Sequence, residues 1–90
     1  MVKTHEINLI TSVFNQVQTS NYIILEQNKD NLFEANDYIL FKQVEQVEEG
    51  TQFTGLYQIV QIKDVVIDKG LKEGFVLLNM QKIYAYNMSS

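Results

Sequence analysis

The stretch TSNYIILEQNKDN, Thr19–Asn31, leaves the end of a helix, enters an apolar strand and exits into a polar turn. Upstream, Ile10, Val13, Phe14 and Val17 recur at helical spacing, with Thr11 or Ser12 available as N-cap. Asn21 suits the left-handed conformation that ends many helices, and Tyr22–Gln27 reads as a strand. Before the helix, Ile7 and Leu9 share one face of a short first strand beginning near Val2, with His5 on the same parity. After the strand, residues 28–37 form a turn-rich connection whose Asn36-Asp37 pair suits a tight turn. Further strands are expected at Tyr38–Gln46, Leu56–Val66 and Phe75–Tyr84, separated by Glu48-Glu49-Gly50-Thr51 and by residues 68–74. One helix set early among about five strands, several apolar on both faces, predicts a mainly β protein: a small β-barrel with one principal helix after the first strand.

Ninety residues make one domain, 1–90, with 84–90 either extending the last strand or fraying. A chain of this size buries only ~60–65% of its unfolded surface, which leaves no room for a separate substrate domain. There is no cysteine, hence no disulfide framework and no thiolate metal site. The amino-terminal segment is polar, and no apolar run approaches the ~20 residues that span a membrane. The expectation is a soluble cytoplasmic protein. Acids outnumber bases by four, and all seven bases are lysines. Without arginine, whose planar fork suits phosphate, tight charge-driven binding of nucleic acid is disfavoured.

Several short blocks resemble a known group: KTHEINL at Lys3–Leu9, Asp30-x-x-Phe33, Asn36-Asp37, Phe53-Thr54-Gly55 and GLKEGFVLLNM at Gly70–Met80. Together, over residues 3–83, they look like a small bacterial and phage family of the activating signal cointegrator homology (ASCH) superfamily. The resemblance implies a PUA-like β-barrel, a cleft beside the helix, and an association with RNA or modified nucleosides. Some ASCH relatives are acetylcytidine amidohydrolases that use a lysine, a threonine and a glutamate. Where this chain has residues 20–28, the family pattern reads Gly-Lys-Lys-Thr-x-Glu-x-Arg. Its Thr, Glu and Arg alternate, so they project from one face of a strand into the cleft. Arginine there forks onto an anionic or amide group, and lysine activates a nucleophile or holds an oxyanion.

Aligned without gaps, the chain offers Ser20, Asn21, Tyr22, Ile23, Leu25 and Gln27 at those positions, and every group of the pattern is gone. A one-residue slip puts Asn21 on the glycine, Tyr22 and Ile23 on the lysines, Ile24 on the threonine, Glu26 on the glutamate and Asn28 on the arginine. The slip is preferred, because the gap-free register buries Glu26, and an unpaired buried carboxylate costs several kcal/mol. Ile23 and Leu25 are then expected in the barrel, with Glu26 and Asn28 facing the cleft and Ile24 lining it. The family's arginine after Thr-Gly is Leu56 here, and the lysine of its first strand is Asn8. The scaffold is retained and the cleft chemistry lost, so a non-catalytic domain is expected.

The remaining candidates are few. His5 is the sole histidine, and Glu6 beside it points to the opposite strand face, so the two do not act on one substrate. Thr54 either donates a hydrogen bond into the cleft or caps a turn. Glu45, Glu48 and Glu49 read as a solvated hairpin tip rather than a cation site, and no transition-metal site or cofactor is expected. Gly55, Gly70 and Gly74 are too far apart to cradle a phosphate. Tyr84 and Tyr86 share a strand face and read as packing or a dimer contact rather than a base-stacking platform. Two partner classes follow: weak binding of RNA or a nucleoside-like ligand, or a protein partner for a module that has lost nucleotide recognition.

Overall fold

The computed structural model describes residues 2–27, 32–67 and 70–86, with Tyr86 described by its backbone alone. The chain is mainly β: strands β1 (Thr4–Ile10), β2 (Tyr22–Glu26), β3 (Tyr38–Val47), β4 (Gly50–Val66) and β5 (Phe75–Tyr86), with one helix, α1 (Thr11–Thr19), after β1. The strands form one sheet in the order β1-β3-β4-β5-β2, curled into a half-barrel. β1 runs parallel to β3, and the other three pairings are antiparallel.

Curling has a local cause. The register shifts between Lys42 and Val44 on β3, and twice more along the β4–β5 ladder. Bulges of this kind increase local twist and bend a strand. At the first of them, β4 sets Thr54, Gly55 and Leu56 opposite Gln43 alone, and Gly55 has φ 97°. A side chain there would be strained, so the Thr-Gly of the Phe-Thr-Gly block is explained by the bulge. The shift also lets β4 begin at Gly50, six residues earlier than expected.

The concave face carries the core. Ile39 and Phe41 of β3, Val60 and Ile62 of β4, and Val76, Leu78 and Met80 of β5 alternate inward. Phe14 and Val17 of α1, Leu9 of β1 and Phe33 of the β2–β3 connection complete it. α1 packs against β1 and β3 with these two residues, at the i, i+3 spacing of a helix stripe.

Two expectations about the helix ends are corrected. The N-cap is Ile10, extended at φ −66°, ψ 160° and half-exposed, not Thr11 or Ser12. β1 feeds α1 without a spacer, so the cap position falls on the last strand residue. Asn21 does not take the left-handed conformation; Ser20 is the C-cap, extended at φ −116°, ψ 158°. The chain turns directly into the sheet, where the Asn21 carbonyl accepts the Met80 N–H at 2.8 Å. Thr19 Oγ1 donates to the carbonyls of Asn15 and Gln16 in the last turn, at 3.3 and 3.2 Å. The left-handed residue is Asn36 (φ 77°), at the expected Asn36-Asp37 turn.

Candidate functional site

β2 alternates as the slipped register requires. Ile23 and Leu25 are half-buried and pack on the core, whereas Tyr22, Ile24 and Glu26 are exposed. Burial of Ile23 and Leu25 is partial because β2 is an edge strand, bounded by β5 on one side only. Beside it, α1 and β2 enclose an open groove of about 430 Å³. Val13, Gln16, Val17 and Ser20 form one wall and Tyr22–Leu25 the other. The α1 wall follows from i, i+3, i+4 spacing, which brings these four side chains to one helix face. None of the lining residues carries a formal charge, and the polar groups are the Gln16 amide, the Ser20 hydroxyl and the Tyr22 phenol.

The sequence-derived site residues are not gathered there. Ile24 lines the groove. Glu26, on the same strand face, is exposed and falls outside the lining. Asn28 lies outside the described residues. Thr54 sits at the β3–β4 bulge: its hydroxyl donates to Gln43 Oε1 at 2.7 Å and accepts the Leu56 N–H at 3.3 Å. Its single O–H is committed to holding the bulge.

His5 is buried and belongs to a different cluster. Its Nε2 lies 3.0 Å from Asp37 Oδ2, and its ring packs 4.7 Å from that of Phe33. Asp37 is 1% exposed. Its Oδ1 accepts the Lys3 N–H at 3.0 Å and its Oδ2 the Glu34 N–H at 3.2 Å. Burial pushes the Asp37 pKa up, but the hydrogen bonds from His5, Lys3 and Glu34, with the attraction of the imidazole, outweigh it and hold the carboxyl below its ordinary value. One carboxylate thus ties the start of β1, the turn and the start of β3. Sequence reasoning set His5 against Glu6; Asp37, a turn residue at a strand start, was the true neighbour. Glu6 points outward, 2.7 Å from the Lys42 ammonium.

Glu45, Glu48 and Glu49 are exposed at the β3–β4 hairpin, and among the described residues no cluster of three or more His, Cys, Asp or Glu side chains is placed to hold a metal. Tyr84 is half-exposed with its ring centroid 6.1 Å from that of Tyr57; the side chain of Tyr86 is not described. No helix among the described residues is long and apolar enough to cross a membrane. A scan against protein-family models found no match for this chain, and a search of curated proteins found no relative.

Proposed function

We propose that the chain is a non-catalytic, PUA-like domain of ASCH type that acts as a protein-interaction or regulatory module through the groove between α1 and β2. The observation that carries this reading is the neutrality of that groove. A phosphate backbone is recognised by lysine, arginine or clustered N–H donors, and the groove offers Val13, Val17, Ile23, Ile24 and Leu25 instead. Such a surface suits apolar side chains presented by a protein segment. The net charge of −4 and the absence of arginine point the same way.

A second reading has its own support. A volume of about 430 Å³, mostly apolar with a few hydrogen-bonding groups, is within the range of small-ligand sites. Gln16 and Ser20 would pair with an uncharged nucleoside, and the exposed Tyr22 ring would stack on its base. RNA bound through its phosphates is the least supported of the three.

Two-dimensional NMR separates the readings. Peptides selected by phage display against the protein should shift the resonances of Val13, Val17 and Ile24 and lose that effect in Val13→Asp. Cytidine and N4-acetylcytidine should shift none of them. Groove shifts with either nucleoside at submillimolar concentration, and none with selected peptides, would replace this reading by the second.

A further inference from the structure

β2 is the last strand of the sheet, and its hydrogen-bonding parity can be read directly. The Gln27 N–H donates to the Gly74 carbonyl and the Met80 N–H to the Asn21 carbonyl, both at 2.8 Å. In the β2–β5 register, therefore, Asn21, Ile23, Leu25 and Gln27 turn their backbone groups toward β5. Tyr22, Ile24 and Glu26 turn theirs the other way, off the sheet. Among the described residues nothing pairs with them. Of the usual guards this edge has only its shortness and Glu26. β2 holds no lysine, proline or bulge, and exposes Tyr22 and Ile24, 54% and 45% accessible.

We propose that this edge pairs with the same edge of a second copy, β2 against β2 antiparallel, about a two-fold axis at Ile24. The strand is self-complementary in that arrangement. Only a register matching outward-turned residues to outward-turned residues forms hydrogen bonds, and the one centred on Ile24 alone uses all three. Ile24 meets Ile24 of the second copy, and Tyr22 meets Glu26 of the second copy at both ends. Each carboxylate faces a phenol hydroxyl that can donate to it, and the two Glu26 side chains are kept apart. On the opposite face Ile23 stands beside Leu25 of the second copy, so the apolar wall of each groove continues into the other. The contact is isologous and uses up the edge, so it closes at two copies rather than growing into a fibre.

So short a ladder buries far less than the ~1,200 Å² of a stable interface, so weak, reversible association is expected. Raising the salt should tighten it, because each copy carries a net charge of −4 and the repulsion is screened.

Sedimentation equilibrium of the purified chain up to millimolar concentration tests this. Wild type should be a reversible monomer–dimer. Ile24→Pro removes an outward N–H and no bond to β5, so it should leave amide NMR dispersion intact and weaken the dimer at least about tenfold. Ile24→Lys keeps the N–H but sets two ammonium groups across the axis, and should weaken it similarly even if the proline variant does not fold. Tyr84→Lys, elsewhere on the surface, should leave it unchanged. A monomer at all concentrations, a dimer indifferent to both Ile24 variants, or one lost equally with Tyr84→Lys overturns the proposal. None of these readouts depends on a groove ligand: a dimer with an empty groove fails the proposed function alone, and peptide binding by a strict monomer fails this inference alone.

Discussion

At the residue scale, Asp37 is the carboxylate with the most hydrogen-bond partners among the described residues. Its carboxylate faces His5 and takes two backbone N–H groups, all with little access to water. Cutting it back in Asp37→Ala strands those donors, and orphaned buried donors cost ~1–3 kcal/mol each, in part relieved by water entry. The expected loss is about 3 kcal/mol, a large share of the stability of a small domain, measured by urea unfolding at neutral pH. The pH dependence has a definite sign. The folded carboxyl titrates below its ordinary value of 3.8, so near that value the unfolded chain binds more protons. The Asp37 contribution is complete above about pH 5, well clear of the unfolded value, and fades as the pH falls through 3.8 to the lower folded value. Asp37→Asn should flatten that acid limb; an unchanged limb would show that another carboxyl sets it.

At the scale of the element, β2 separates what a sequence can show from what it cannot. The exclusion of Glu26 from the interior was legible, because burying a lone carboxylate is costly and the competing register avoided it. The parity of Ile23 and Leu25 followed. Their half-burial did not, since it depends on β2 being an edge, a property of the sheet order rather than of the strand. The helix ends were misread for a related reason. Capping rules describe a helix entered and left by loops, whereas α1 is joined to strands at both ends. Thr54 was legible only as one of two alternatives, and its partner Gln43 lies eleven residues away across a bulge that no local pattern announces. The parity makes a plain comparison possible. Leu25→Ala should cost about 2 kcal/mol, the low end for a core leucine because the site is only half-buried. Ile24→Ala, one position earlier, should stay within about 0.5 kcal/mol. Thermal or urea unfolding of the two variants checks it, and a reversed order would require the other register.

At the scale of the whole molecule, the chemistry implied by the family resemblance would need a lysine and a threonine beside the groove, and neither lines it. The lysine and threonine positions hold Tyr22, Ile23 and Ile24 in the slipped register, and the groove they border has no activated nucleophile. Loss of an essential nucleophile typically lowers turnover by several orders of magnitude. Purified protein should therefore release no acetate from N4-acetylcytidine above the buffer rate. Turnover that disappears on mutating groove residues would reverse this.

The same distribution of charge governs any contact with RNA. Binding to a single strand loses affinity with salt at a slope of about −0.7 per phosphate neutralised. The count of phosphates depends on lysines that are free and close together. Of the seven, Lys42 is held 2.7 Å from Glu6 and lies over the Phe53 ring. Lys72 sits over the ring of Phe75, the first residue of β5. Lys3, Lys63 and Lys82 belong to three further segments, and none of the described lysines lines the groove. One or two phosphates are the most that the described lysines neutralise at once, giving a slope near −1. Affinity for a short single-stranded RNA should then be weaker than about 10 μM and fall by only about fourfold between 50 and 200 mM salt. Fluorescence anisotropy at three or four ionic strengths measures both quantities. Submicromolar affinity with a slope steeper than about −3 would mean that lysines from separate elements converge on one RNA path, and the neutral groove would then not be the binding surface.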